Sequence, residues 1–263
     1  MLRYIKLYIK FVSQYSKILM QSKVNFFIGL AGFLIAQASG LGFLYLVFNN
    51  IPSLNGWSFN EILFIYGFAQ LPRGLDHLLT DNIWMFSMRI IVRGDFDRYL
   101  LRPINPLFQM ISETLQADAF GELAVGFAIM AIACMNLKLK FTFINIIVLI
   151  IVIIAGAVIY TSIKLFFASL AFWIKTSIGI LQIAYNISDF TKYPNSIYSK
   201  GIQFIITILI PFAFTAFIPA AYFIGRMNLT YALGGTCAVA VITFIISYAT
   251  WLRGMRIYES AGN

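Results

Sequence analysis

Charged residues are scarce in this chain. Only 11% of its 263 residues are Asp, Glu, Lys or Arg, whereas hydrophobic residues make up 60% and the mean hydropathy is +0.84. Soluble domains carry about a quarter charged residues, so that class is excluded. One histidine and two separated cysteines, Cys134 and Cys237, are too few for a His/Cys metal cluster. Both cysteines stand in apolar runs and are interpreted as packing residues rather than a disulfide.

Two motifs are also missing. The sequence contains no ATP-binding loop of the form G-x-x-x-x-G-K-[S/T], and its first twenty residues hold no continuous apolar core of a signal peptide. We therefore expect a chain that is not an enzyme, binds no cofactor and cannot power transport alone. The net charge of +9 is explained by basic cytoplasmic loops and anionic lipid headgroups rather than by a nucleic-acid partner.

Long apolar runs dominate what is present. Seven of them lie at 24–48, 59–83, 108–136, 142–174, 176–191, 202–225 and 229–252. A crossing helix needs about twenty residues, and the alternating pattern of a membrane barrel is absent. The sequence thus predicts an all-α polytopic membrane protein that forms a single transmembrane domain over residues 1–263.

The N-terminal segment has a different pattern. At helical spacing, Arg3, Lys6, Lys10 and Lys17 fall on one narrow arc, with an apolar face opposite. This pattern predicts an amphipathic helix over residues 2–22 that lies in the membrane interface.

Basic residues predict the orientation. The N-terminal segment, residues 88–106, Lys175 and the C-terminal tail carry twelve Lys and Arg, against five on the other side. Both termini are therefore expected to face the cytoplasm, which requires an even number of crossings. The run 202–225 is broken by Pro211 and Pro219, so we assign it to a re-entrant pair of short helices. Six spans remain, although the run 176–191 is short for a crossing.

Residues 88–106 form a charged island that must lie outside the hydrocarbon layer. The island holds Arg89, Arg93, Arg98 and Arg102. Within it, Asp95 is expected to cap a short helix, with Asp97 in the first turn and Arg102 near the end. Phe96, Tyr99 and Leu100 are expected to form an apolar surface for a partner, and Pro103 to end the helix.

The stretch Gly-Asp-Phe-Asp-Arg-Tyr-Leu-Leu-Arg-Pro at 94–103 resembles a pattern that follows the second span in permeases of the ABC-2 transporter family. It is closest to a bacterial subgroup with separate permease and ATPase subunits. The segment 194–225, with Pro194, Pro211 and Pro219, is similar to the outer re-entrant hairpin of that family. The departure is Tyr193-Pro194, where many relatives have Gly-x-x-Phe-Pro.

This resemblance implies a function. The chain would be the permease subunit of an ATP-binding-cassette exporter in the bacterial cytoplasmic membrane. It would work with a second, identical or related permease and with an ATPase subunit that binds ATP and Mg²⁺. Its cargo would be amphipathic or lipid-like, a peptide or a drug. The residues implied to couple to the ATPase are Gly94, Asp95, Phe96, Asp97, Tyr99, Leu100, Leu101, Arg102 and Pro103.

Other interpretations stay open. The island could be an ordinary cytoplasmic loop, or the interaction site of a membrane scaffold that does not transport. The charges in the apolar runs would also suit a secondary transporter driven by ions, although such carriers usually show internal repeats and none is visible here.

Charged residues inside the apolar runs are costly and usually face a bundle interior or a watery cavity. Arg73, Asp76, His77 and Asp81 lie in the second run, and Glu113, Asp118 and Glu122 in the third. If both helices meet the inner boundary near residues 80 and 110, antiparallel packing predicts an Arg73–Asp118 pair and places His77 level with Glu113. Such groups would either hold the spans together or handle substrate or protons. Lys164 would either reach toward the headgroups or face a polar cavity.

Overall fold

The computed structural model describes residues 23–116 and 118–259, and the predicted interfacial helix 2–22 lies outside them. The described residues form helices and connecting turns without a β-strand, which confirms the all-α prediction. The main helices are α1 (Lys23–Asn50), α2 (Phe59–Thr80), α3 (Asp97–Leu100), α4 (Pro106–Ser112), α5 (Ala119–Leu137), α6 (Phe143–Ser169), α7 (Ile178–Asn186), α8 (Lys200–Phe204), α9 (Phe217–Phe223) and α10 (Thr236–Ile257).

Shorter elements connect these helices. Two single α-turns lie at Asn82–Met85 and Ala171–Ile174. Wider π-helical turns occupy Phe86–Ile90, Ile205–Leu209 and Thr230–Gly235, and 3₁₀ turns occupy Ile187–Lys192, Asn195–Ile197 and Phe212–Phe214.

Four helical segments are long and apolar enough to cross a membrane: Phe27–Asn50, Ala119–Leu137, Phe143–Ile174 and Thr230–Ile257. A bent pair, Lys200–Leu209 with Phe212–Phe223, raises the number to five if it forms one span. The multi-pass architecture is therefore confirmed, whereas the six-span count is not. The predicted run 176–191 contributes the nine-residue α7 and the six-residue 3₁₀ turn that follows it, which together are too short to cross.

Helix α2 is the centre of the molecule although it is not among these candidate spans. Its 22 residues include Gln70, Arg73, Asp76 and His77, which lower its apolarity. Residues 62–72 are nonetheless all buried, as expected for a helix surrounded by protein. A capping box between Ser58 and Glu61 defines its first turn. The helix packs mainly against α5 and α6.

Glycines allow α2 to approach its neighbours closely. A Cβ on Gly67 would lie 2.6 Å from the backbone nitrogen of Met130 in α5. Likewise, a Cβ on Gly156 in α6 would lie 2.9 Å from Cβ of Pro72. Small residues at helix contacts are how membrane helices reach close packing without a hydrophobic driving force.

The predicted third run, 108–136, is not one helix. Asn105 caps α4 through its side chain, with Pro106 at the first helical position, and α4 ends at Ser112. Residues 114–116 are not helical, and α5 begins at Ala119. At the interruption the chain bonds to the end of α2 instead of to itself: the backbone N–H of Gln116 donates to the carbonyl oxygen of Leu78 at 3.3 Å, and its side-chain amide donates to Asp81 at 3.1 Å.

The proline-broken segment bends where the sequence places its prolines. Helical segments Lys200–Leu209 and Phe212–Phe223 meet at an angle of 75° on either side of Pro211. Pro219 lies inside α9, and Pro194 precedes the turn Asn195–Ile197. Residues 212–221 are all buried. The bend is thus present, while its course as an outer re-entrant hairpin stays a prediction.

The two ends of the bundle differ in character. At one end Arg226 pairs with Glu61 at 2.7 Å and lies 4.2 Å from the ring centre of Trp57. At the other end an aromatic cluster joins the island to the ends of two long helices. Its members are Phe86, Phe96, Phe172, Trp251 and Tyr258.

Candidate functional site

The island 88–106 folds into a turn followed by the short helix α3. Gly94 has φ +70°, a conformation that favours glycine, and the chain reverses there. Asp97 occupies the first turn of α3, as predicted, where its charge suits the helix dipole. The prediction that Asp95 caps this helix was wrong. The residue at the N-cap position is Phe96, and no side-chain hydrogen bond caps the helix. Asp95 is exposed instead.

Two aromatic residues of α3 face the protein interior. Phe96 and Tyr99 have no exposed surface, which contradicts the prediction that they form part of an outer apolar surface. The ring centre of Phe96 lies 5.7 Å from that of Trp251 and 5.1 Å from that of Tyr258.

Tyr99 also has a polar anchor. Its hydroxyl donates to Oε2 of Glu113 at 2.5 Å, and Arg98 donates to the same tyrosine oxygen at 2.8 Å. Burial and the hydrogen bond to Glu113 raise the pKa of Tyr99 to about 12. Glu113 therefore anchors α3. The predicted register had placed it level with His77, whose ring nitrogens lie near Glu122 and Asp81 instead.

What remains exposed on the island is leucine and arginine. Leu100 is 47% exposed and Leu101 is 85% exposed. We call these two leucines, together with the exposed Arg89, Arg93, Arg98 and Arg102, the leucine–arginine surface. Arg102 and Pro103 lie beyond the last residue of α3, at its exposed end. Phe96 and Tyr99 are buried on the inner side of this segment, and the leucine–arginine surface is exposed on its outer side.

A charged cavity lies on the same half of the bundle, beside the last two turns of α2. Its volume is about 350 Å³. Four segments contribute to it: α1, α2 with the turn after it, α5, and α7 with the following 3₁₀ turn. The lining residues are Phe33, Ala36, Gln37, Arg73, His77, Asp81, Trp84, Asp118, Glu122, Tyr185, Asp189 and Lys192.

Arg73 is the central cation of the cavity. Its Nη1 lies 2.8 Å from Oδ1 of Asp189, and its Nε lies 3.6 Å from Oε1 of Glu122. Lys192 shares Asp189 at 2.7 Å. The predicted Arg73–Asp118 pair was wrong. Helix α5 begins at Ala119 rather than near residue 110, which moves the register by about two helical turns, so that Gly74 faces Leu123.

His77 and Asp118 complete the charged lining. The two ring nitrogens of His77 lie 3.2 Å from Oε2 of Glu122 and 3.7 Å from Oδ1 of Asp81. Asp118 stands at the start of α5 without a side-chain cap bond, and no described cation lies within ion-pair distance of it. It acts on His77 only at longer range.

Asp76 and Lys164 form a separate ion pair behind the cavity wall. Their charged atoms lie 2.8 Å apart and both side chains are fully buried. Asp76 accepts further hydrogen bonds from Thr80 at 2.6 Å, Thr161 at 2.7 Å and Tyr185 at 3.0 Å. Lys164 neither reaches the headgroups nor lines the cavity. Three hydroxyl hydrogen bonds and the neighbouring ammonium group compensate for the burial of this carboxylate.

Helix α1 meets the rest of the protein through Leu44, which is buried in the core, and through polar contacts of Gln37. Oε1 of Gln37 accepts from the hydroxyl of Tyr66 at 2.7 Å and from the amide of Gln70 at 3.2 Å. Most other described side chains of α1 are exposed, including Phe27, Leu34 and Phe43.

Sequence reasoning missed part of the cavity. It selected Arg73, His77, Asp81, Asp118 and Glu122 but not Asp189, which lies inside the predicted run 176–191. It counted Lys192 among the basic residues of the other side of the membrane. The two residues are charged and three positions apart at the end of an apolar run, a signal that could have marked them. Their partner Arg73 lies 116 residues earlier in the chain, so no local pattern reveals the contact.

A family model described as ABC-2 family transporter protein matches residues 34–262. The chain belongs to the ABC-2 transporter family. This finding confirms the resemblance that residues 94–103 carry, and the match spans both the leucine–arginine surface and the cavity. No curated protein and no solved structure matched this ABC-2 family chain significantly.

Proposed function

We propose that this ABC-2 family member is the membrane-spanning permease subunit of an ATP-binding-cassette exporter. In this proposal a cassette ATPase subunit binds ATP and Mg²⁺ and docks on the leucine–arginine surface. A second permease, identical or related, completes the transport pathway. The exporter stands in a bacterial cytoplasmic membrane, with both termini of the chain in the cytoplasm, and moves an amphipathic or lipid-like compound, a peptide or a drug.

One observation carries the proposal: Phe96 and Tyr99 anchor α3 inward while Leu100 and Leu101 stay exposed. Exposed leucines among arginines cannot lie in the hydrocarbon layer, because the guanidinium groups would be desolvated. A protein partner can bury the leucines in an apolar pocket and pair the arginines at the rim. The rigid base under α3 is what a surface that transmits force requires.

The sidedness of the chain supports a cytoplasmic docking surface. Ser177 after the Ala171–Ile174 turn donates its backbone N–H to Ser87 at 2.9 Å, which brings Lys175 to the end that holds the island. Trp251 and Tyr258 bring the C-terminal tail with Arg253 and Arg256 to that end as well. Clusters of basic residues mark the cytoplasmic face of a membrane protein.

Docking is tested by stimulation of ATP hydrolysis. The chain is co-expressed with candidate cassette ATPases from the same genome, the complex that forms is reconstituted, and its ATPase activity is compared with that of the ATPase alone. Leu101→Asp is expected to lower the stimulated rate and co-purification by at least about tenfold, the size of effect that loss of an interface anchor produces. Leu229→Asp, an exposed leucine at the opposite end that is 38% exposed, is the matched control.

The results separate the competing functions. Full stimulation by Leu101→Asp contradicts docking on this surface. Co-purification without stimulation or transport favours a scaffold. Transport that continues without ATP and follows an ion gradient favours a secondary transporter.

A further inference from the structure

We infer that the charged cavity between α1, α2, α5 and α7 binds an amphipathic organic cation. The inference deepens the proposed function, since it names the chemical class of the cargo, and it rests on that function only for the transport step. Binding itself depends on the cavity alone.

The charge balance of the cavity selects a cation. Four carboxylates line it: Asp81, Asp118, Glu122 and Asp189. They face two basic side chains, Arg73 and Lys192, so that the formal charge of the lining is negative whether His77 is neutral or protonated. A negative cavity with low-dielectric walls concentrates cations and repels anions.

The ion pairs in the cavity show which carboxylate is available to a ligand. Arg73 is held by Asp189 and Glu122, and Lys192 by Asp189. An anionic ligand would have to break these pairs to reach a cation. Asp118, in contrast, has no ion-pair partner among the described residues and lines the cavity. A positively charged ligand can pair with Asp118 without displacing any cation that the structure describes.

Aromatic walls indicate an organic cation rather than a bare metal ion. Phe33 from α1, Trp84 after α2 and Tyr185 from α7 line the cavity, and the Trp84 and Tyr185 rings meet edge to face at 5.2 Å. Aromatic faces attract quaternary and aryl cations and bury their apolar bodies. The volume of about 350 Å³ lies in the range of small-molecule sites.

The test uses tetraphenylphosphonium, a lipophilic cation, and tetraphenylborate, an anion of the same shape. Saturable binding to the chain in nanodiscs is measured above binding to empty nanodiscs. The wild-type chain is expected to bind the cation saturably and the anion at least about tenfold more weakly, because each charged contact changes affinity by about that factor. Equal saturable binding of both ions, or none of the cation, overturns the inference.

Variants then locate the site. Asp118→Asn is expected to weaken cation binding about tenfold, Asp118→Glu to retain it, and Trp84→Leu to weaken it through loss of the aromatic wall. Glu259→Gln, an exposed carboxylate in the C-terminal tail, is the matched control and should bind as the wild type does. Wild-type affinity in Asp118→Asn also overturns the inference. If Asp118→Asn does not fold, the comparison of the two ions on the wild-type chain still decides.

Failure of this inference and failure of the proposed function give different results. If ATPase stimulation depends on Leu101 but the chain binds no cation, the cargo assignment is wrong and the permease proposal stands. If cation binding depends on Asp118 but no ATPase responds to the chain, the binding site stands and the proposed coupling to an ATPase is wrong.

Discussion

Nζ of Lys164 lies 2.8 Å from Oδ2 of Asp76, and neither side chain has any exposed surface. The pair joins α6 to α2, and the Tyr185 hydroxyl adds α7 to the same carboxylate. A buried charge without its partner is strongly unfavourable, whereas a neutral pair of similar volume often costs nothing. The ion pair therefore acts as a clamp on three helices.

Removing one partner of this clamp should be worse than removing both. Lys164→Met is expected to destabilise the protein by about 3–5 kcal/mol, because it leaves Asp76 uncompensated. Adding Asp76→Asn should recover most of that loss, because the neutral amide removes the unpaired charge and keeps an acceptor oxygen for the neighbouring hydroxyl groups. Reversible unfolding in mixed micelles measures both variants. Equal stability of the single variant and the wild type would show that Asp76 is not charged in the folded protein.

The close contact between α2 and α5 gives a second prediction. Gly67→Ala places a Cβ 2.6 Å from the backbone nitrogen of Met130, so the helices must separate at a cost of about 1–3 kcal/mol. Gly42→Ala in α1 meets nothing within 4 Å and serves as the control. The control should be neutral or slightly stabilising, since alanine favours a helix over glycine. Unfolding midpoints of the two variants make the comparison.

A third prediction tests the corrected register of the cavity. Double-mutant cycles should give a coupling energy of about 1 kcal/mol or more between Arg73→Gln and Glu122→Gln, which are in contact. Arg73→Gln and Asp118→Asn should be additive within about 0.5 kcal/mol. The same unfolding assay is applied to the three single and two double variants. Strong coupling to Asp118 and none to Glu122 would restore the register that the sequence predicted.

The Tyr99–Glu113 bond should make stability depend on alkaline pH. The folded-state pKa of Tyr99 is about 12, above its ordinary value of 10, so the bond contributes fully below pH 10 and is lost as pH rises through 12. Tyr99→Phe is expected to be about 1 kcal/mol less stable than the wild type at pH 9, with the difference shrinking toward pH 12. Tyr45→Phe, at an exposed site in α1, should show no such convergence.

The sequence predicted the general architecture because composition and long apolar runs suffice for it. Membrane location, the all-helical fold and the break at Pro211 follow from hydropathy and backbone chemistry. The family pattern at Gly94 to Pro103 is also local, so it was visible.

The errors have a common physical origin. Apolarity does not reveal where a helix stops, so the interruption after Ser112 went unseen and the register of α5 was wrong. Which side of α3 is buried depends on Trp251 and Tyr258, more than 150 residues away. For the same reason Asp189 could not be joined to Arg73. These contacts are tertiary, and one sequence without relatives carries no signal for them.

The aromatic cluster beneath α3 has a mechanical consequence. Phe96 touches Phe172, just past the end of α6, and Trp251, near the end of α10. If an ATPase docks as proposed and pushes on Leu101, these ring contacts would carry the push to the C-terminal helix. Helix α10 would then move as a rigid unit. The π-helical turn Thr230–Gly235 lies at its other end, and a spectroscopic label there would report the movement.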